Sequence, residues 1–142
     1  MSKADIDIAS FEQNLSRIAY AKTLGVKPVM MDGEFTLVLP YLDENVGNPL
    51  IRALHGGVIG GFMEITAISQ LILTDNLTTL PKPIGINIDY LRRGKPVDTY
   101  ARALVFKQGR RVSNVRVTAW QEDIDKPIAA LHGHFLGHDI EA

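Results

Sequence analysis

Ala53-Leu54-His55-Gly56-Gly57-Val58-Ile59-Gly60-Gly61-Phe62-Met63-Glu64-Ile65-Thr66-Ala67 is the stretch that decides the fold, because between Arg52 and Asp75 Glu64 is the one formally charged side chain. The segment from about Gly57 to Thr74 reads as a helix apolar on every side, and such a helix belongs in a core. A carboxylate inside it must be hydrogen-bonded, neutralised or kept for chemistry. Gly60 and Gly61 each weaken a helix by roughly 1 kcal/mol against alanine, so they mark a close approach of backbone or ligand.

On the N-terminal side, Ile8, Phe11, Leu15 and Ile18 recur at helical spacing until Gly25, which predicts a covering helix over residues 1–24. Val29-Met30-Met31 and Phe35-Thr36-Leu37-Val38-Leu39 flank Asp32-Gly33 and predict a hairpin. Tyr41 to Ala53 carries Asp43, Glu44, Asn45, Gly47, Asn48 and Pro49 without periodicity and reads as a loop that delivers the chain to His55. On the C-terminal side, Asp75-Asn76 with Pro81 and Pro83 form the exit. Ile84, Ile86, Ile88 and Tyr90 then alternate with polar or small residues, predicting a strand with one buried face. Thr99 to Lys107, Arg111 to Gln121 and Ile128 to Leu136 are three more strands, with turns at Gln108-Gly109-Arg110 and Asp123-Ile124-Asp125-Lys126-Pro127. The order predicts one α+β domain spanning residues 1–142, its sheet wrapped around one buried helix.

Composition narrows the function. The chain has 142 residues, no cysteine, and 15 basic against 16 acidic side chains for a net charge of −1. That excludes a disulfide framework and a thiolate nucleophile, and it argues against a general binder of nucleic acid or membrane surface. The first residues lack the basic start and apolar core of a signal peptide, and no uninterrupted apolar run approaches the ~20 residues of a membrane span. The expectation is a soluble cytoplasmic domain.

His55-Gly56-Gly57 with an acid nine positions after the histidine, opening the long helix behind an Asn-Pro loop, resembles the hotdog-fold acyl-CoA thioesterases of the 4-hydroxybenzoyl-CoA and phenylacetate-pathway type. Ile84 through Asp89-Tyr90-Leu91-Arg92-Arg93-Gly94-Lys95-Pro96 resembles the family's strand after the helix, and the likeness runs from about Leu24 to Leu136. The resemblance implies an antiparallel sheet of about five to six strands around the helix. It implies that Glu64 is the catalytic acid residue, that the Gly56 N–H holds the thioester oxygen, and that His55 stands beside it. Asn48 corresponds approximately to a polar loop residue that positions water or the carbonyl, while Leu50-Ile51-Arg52 departs from the family's small residues. Basic residues of the family bind coenzyme A phosphates, a role that falls here to Arg92, Arg93 and Lys95. CoA is then part of the substrate, and no separate cofactor is implied.

The chemistry also stands on the residues. Thioester hydrolysis needs a group that activates water or attacks directly, and donors aimed at the developing oxyanion. Glu64 supplies the first, and the free N–H groups of a helix opening Gly56-Gly57 supply the second. Gly56 and Glu64 are eight residues apart, roughly 12 Å along a helix axis. That is too far for both to reach one carbonyl, so a two-fold pair of helices must bring Gly56 of one subunit to Glu64 of the other. A homodimer is therefore required, and hotdog dimers also pair into tetramers. Gly57, Gly60, Phe62 and Met63 are the helix positions assigned to the acyl pocket, although Gly60 and Gly61 also read as helix-packing residues.

Competing roles are simpler. Glu64 as a buried acid satisfied by Asn, Thr or backbone donors needs no reaction, and His55 as a helix-entry residue only bonds the loop. Arg92-Arg93-Gly94-Lys95 and Gln108-Gly109-Arg110-Arg111 also read as solvated turns. His132, His134 and His138 are spaced like ligands on one strand face, but without a second cluster of Cys or acids they read as edge or interface histidines, and no metal is assigned. The leading function is hydrolysis of an acyl-CoA thioester to free acid and CoA, with Glu64 as general base or nucleophile. The alternatives are a non-catalytic module that binds acyl-CoA or an aromatic ligand, and a hotdog dehydratase or hydratase, whose motifs are absent.

Overall fold

The structure is a computed structural model that describes residues 3–75, 79–108 and 111–136. Asn76, the Gly109-Arg110 turn and His138 lie outside the described residues. The elements run in the order α1 (Lys3–Leu15), α2 (Ala19–Leu24), β1 (Lys27–Met31), β2 (Glu34–Leu39), β3 (Val46–Asn48), β4 (Ala53–Leu54), α3 (Gly56–Asp75), β5 (Lys82–Tyr90), β6 (Thr99–Gln108), β7 (Val112–Trp120) and β8 (Ala129–Leu136). Six strands form an antiparallel sheet in the order β1-β2-β6-β7-β8-β5. The sheet wraps α3, the hotdog arrangement that the resemblance implies.

Alternation explains the layer. Leu37 and Leu39 of β2, Ala101 of β6, Val115, Val117 and Ala119 of β7, and Leu131 and Phe135 of β8 point inward and are buried. They meet Phe62, Met63, Ile65, Ala67, Leu71 and Ile72 of α3, which are also buried. Each large side chain so removed from water contributes about 1.5–3 kcal/mol. Gly56–Thr74 is long and apolar enough by composition to cross a membrane, yet more than half of it is buried inside the protein, as a core helix is.

The N-terminal periodicity from Ile8 to Ile18, which reads as one helix, is divided between two. Arg17 N–H and Ile18 N–H make tight turns to the carbonyls of Asn14 and Leu15, and the Ser16 hydroxyl donates to the Gln13 carbonyl at 2.6 Å. This turn still points Ile18 inward, so the spacing survives a break in the helix. Phe11 packs on Phe35 with ring centroids 5.3 Å apart. Gly25, at φ 74, closes α2 by donating to the carbonyls of Ala21 and Lys22, a left-handed stop that favours glycine. Asp32 and Gly33 both have positive φ, the hairpin turn that their sequence predicts.

Two expectations need correction. The loop from Tyr41 to Ala53 contains a 3-10 turn over Asp43–Asn45 and a small antiparallel ribbon of β3 and β4, because the turn between them lets Val46 and Asn48 pair with Leu54 and Ala53. The strand Lys82–Tyr90 covers only part of its predicted face, at Ile86 and Ile88, which pack against the core. Ile84 is 59% exposed, Tyr90 53% exposed, and Ile86 and Ile88 only half-buried. Its physical position is the reason: β5 is a sheet edge, paired with β8 on one side alone.

Candidate active site at the start of the core helix

The first turn of α3 is held from three directions. His55 N–H donates to the Asn45 carbonyl at 2.7 Å, and Val58 N–H and Ile59 N–H donate to the His55 carbonyl. The Nδ1 atom of His55 accepts from Gly57 N–H at 2.9 Å, so the imidazole acts as a side-chain N-cap. The Tyr90 hydroxyl donates to the Gly56 carbonyl at 2.7 Å. Gly57 N–H is thereby consumed, while Gly56 N–H has no partner among the described residues. With Nδ1 accepting, the neutral imidazole carries its proton on Nε2.

Gly47 makes this arrangement sterically possible. A Cβ on Gly47 would lie 2.8 Å from His55 Cα, and one on Gly57 would lie 2.8 Å from His55 Cε1. Sequence reading assigns no role to Gly47, Asn45 or Tyr90. A lone glycine between Val46 and Asn48 was the available signal for Gly47. The Tyr90 hydroxyl donates to a backbone carbonyl and Asn45 accepts a backbone N–H with its own carbonyl, and no side-chain motif announces either bond.

Glu64 is half-buried on the same helix, about two turns beyond Gly56. Burial among apolar neighbours pushes its carboxyl up from the ordinary 4.5. Among the described residues it has no hydrogen-bond or ion-pair partner; the neighbouring Thr66 hydroxyl donates instead to the Phe62 carbonyl at 2.8 Å. Gly61, three residues before Glu64, carries the Tyr20 ring of α2, whose Cε2 would be 2.9 Å from an added Cβ. Phe62 and Met63 are completely buried in the core, and Gly60 lies beneath Ile88 and Tyr90.

Asn48 is exposed at the end of β3, where its Oδ1 accepts from Leu50 N–H at 3.1 Å. Its acceptor is thus used in a local turn. Leu50 and Ile51 are exposed beside it.

Arg92 and Arg93 line two cavities. One, of 340 Å³, also includes Gly56, Ile59 and Tyr90; the other, of 350 Å³, also includes Lys95, Glu122, Asp123 and Lys126. The basic residues therefore lead away from the helix start. Arg92 donates to the Pro127 carbonyl at 2.8 Å, and Lys95 Nζ lies 3.5 Å from Glu122. Arg93 is exposed and has no partner among the described residues. Buried Gln121 fixes the Lys95 backbone with bonds of 2.9 Å to both its N–H and its carbonyl.

A further cavity, of 630 Å³, lies elsewhere, where β2 and β6 separate beyond the Leu37–Ala101 pair. Arg102 crosses that gap and is already bonded to Thr36, the Met31 carbonyl and Glu34. Its donors are engaged, and neither Gly56 nor Glu64 lines this cavity. His132 and His134 are exposed on β8 with ring centroids 5.7 Å apart, and among the described residues no group of three metal-ligating side chains is gathered.

No curated protein matches the sequence. The family described as acyl-CoA thioesterase N-terminal domain matches residues 47–136. A solved protein of Chromobacterium violaceum is 35% identical, covers 97% of each chain and has a TM-score of 0.74. A Pseudomonas aeruginosa protein is 26% identical over 92% of this chain and 98% of its own, with a TM-score of 0.77. The PaaI protein from the phenylacetic acid degradation operon of E. coli, at 20% identity over 93% and 96% of the two chains and a TM-score of 0.75, shares the fold. With the family match running from Gly47 beside His55, through all of α3, to the end of β8, the chain belongs to the hotdog-fold acyl-CoA thioesterase family.

Proposed function

We propose that the protein hydrolyses acyl-CoA thioesters to the free acid and CoA, at sites shared between the two subunits of a homodimer. The observation that carries this reading is the first turn of α3: Gly57 N–H is taken by His55, Gly56 N–H is left without a partner, and Glu64 lies unpaired on the same helix. The unpartnered N–H, aided by the positive end of the helix, meets the negative charge that develops on the thioester oxygen. Glu64 activates water or attacks the carbonyl carbon. Its raised pKa makes it the stronger base once ionised.

The distance along the helix supports a shared site. Roughly 12 Å of axis separates Gly56 from Glu64, so a carbonyl held at one cannot be reached by the other in the same chain. β5 supplies the matching surface: it is a nine-residue edge with exposed Ile84 and half-buried Ile86 and Ile88, and free edges invite pairing. Tyr90 ends this strand and touches Gly56. A second copy added along β5 thus comes next to the oxyanion donor. Arg92 and Arg93 line the cavity beside Gly56 and, with Lys95, a second one leading away from it, and the three suit the CoA phosphates.

An acyl-CoA panel with free-thiol detection, run on wild type and Glu64→Ala together, tests this. Thiol release by wild type and none by the folded variant is expected. Equal turnover by the two removes Glu64 from the chemistry, and saturable acyl-CoA binding without thiol release makes the protein a binding module.

A further inference from the structure

Gly60 reads from the sequence as a point of close approach, and Tyr90, to which the sequence gives no site role, is what comes close. A Cβ on Gly60 would sit 2.9 Å from Ile88 Cδ1 and 3.3 Å from the Tyr90 hydroxyl oxygen; a Cβ on Gly56 would sit 3.4 Å from the Tyr90 ring. Gly56 and Gly60 are four residues apart and so lie one above the other on α3. Their missing side chains form a smooth track, and the end of β5 lies in it.

We propose that Tyr90 is a positioning residue for the oxyanion donor: its hydroxyl, bonded to the Gly56 carbonyl, fixes the glycine pair so that Gly56 N–H faces the substrate carbonyl. The proposal rests on the thioesterase reading. Two consecutive glycines begin the helix, and glycine has more backbone freedom to lose than any other residue. A donor on such a segment is useful only when its direction is set before the reaction. His55 Nδ1 holds the Gly57 N–H on one edge of the peptide plane between the two glycines, and the Tyr90 hydroxyl holds the Gly56 carbonyl on its other edge, at 2.7 Å, so the plane is pinned from both sides.

The bond is inside the candidate site. Tyr90 lines the 340 Å³ cavity together with Gly56, Arg92 and Arg93. Because a carbonyl has two lone pairs, the hydroxyl can hold Gly56 while the helix uses the same oxygen. The donor it orients acts on charge that appears in the transition state, so loosening it lowers kcat and kcat/KM together and leaves ground-state binding alone.

Tyr90→Phe keeps the ring on its glycine track and removes the hydroxyl. With an acyl-CoA that wild type hydrolyses, kcat is expected to fall about tenfold, the kinetic equivalent of one such hydrogen bond. KM is expected to stay within roughly twofold, and the acid limb of the pH profile, set by Glu64, to stay in place. An unchanged kcat overturns the proposal, even where the melting temperature falls, because that is the signature of a purely structural bond. A displaced acid limb overturns it as well, since Tyr90 would then be acting on the base. Wild type that releases no thiol from any acyl-CoA overturns the thioesterase reading and this inference with it, whereas an active wild type with an equally active variant overturns this inference alone.

Discussion

His55 Nδ1 accepts the Gly57 N–H at 2.9 Å, and this contact sorts the glycine pair into one amide that is used and one that is free. It makes His55 an N-cap, so its removal has a stability cost that is independent of any reaction. His55→Ala is expected to lose about 1 kcal/mol in urea or thermal unfolding, with His55→Asn recovering most of it, since asparagine is among the best caps. Equal stability of His55→Ala and wild type would contradict the capping role.

Gly47 is bound to the same histidine by space. An added Cβ would meet His55 Cα at 2.8 Å, and a backbone atom cannot swing aside as a side-chain end can. Gly47→Ala is expected to destabilise by about 1–3 kcal/mol and to lower turnover by shifting His55. Gly61→Ala is the control: its added Cβ would meet the Tyr20 ring at 2.9 Å, and Tyr20 is 45% exposed and free to turn. Thermal melts that rank the two in the opposite order would refute this.

Burial holds the Glu64 carboxyl above its ordinary 4.5, so between that value and the raised one the folded chain binds more protons than the unfolded chain. Stability then falls as pH rises through that window. Glu64→Gln is expected to flatten this part of the stability profile and to be at least as stable as wild type at neutral pH, without hydrolysis. The wild-type kcat/KM profile is expected to gain its acid limb above 4.5, because a base must be ionised to act. Melts and rates measured across mildly acidic pH check both; an acid limb at or below the ordinary carboxylate range would exclude Glu64 as the base.

Ile84 is exposed on the free edge of the sheet. Ile84→Lys places a charge that edges use to discourage pairing. Light scattering is expected to show a shift from dimer to monomer, with activity falling in proportion. A monomer that retains full activity would refute the shared site.

Much of the fold was legible because its pattern is local. The helix apolar on every side, the Asp32-Gly33 hairpin and the alternation in β7 and β8 each follow from neighbours in sequence. The apolar alternation of β5 was legible, but alternation does not say how much of an edge strand's face is covered. Glu64 stood out as an isolated charge, and His55-Gly56-Gly57 as a helix start. Asn45 and Tyr90 stayed hidden, since they act by holding main-chain groups ten and thirty-four residues away. Gly47 could be recognised only once His55 was seen against it.

The shared site is tested most directly by mixing two inactive proteins. Glu64→Gln lacks the base, and Gly56→Pro lacks the N–H while remaining compatible with the first position of a helix. If each site takes Glu64 from one subunit and Gly56 from the other, every mixed dimer has one intact site and one doubly altered site. After subunit exchange in equal amounts, free-thiol release from an acyl-CoA is expected to return to about a quarter of the wild-type rate. Mixtures that stay as inactive as their parents, with exchange verified, would contradict it and put Glu64 and Gly56 of each site in one chain.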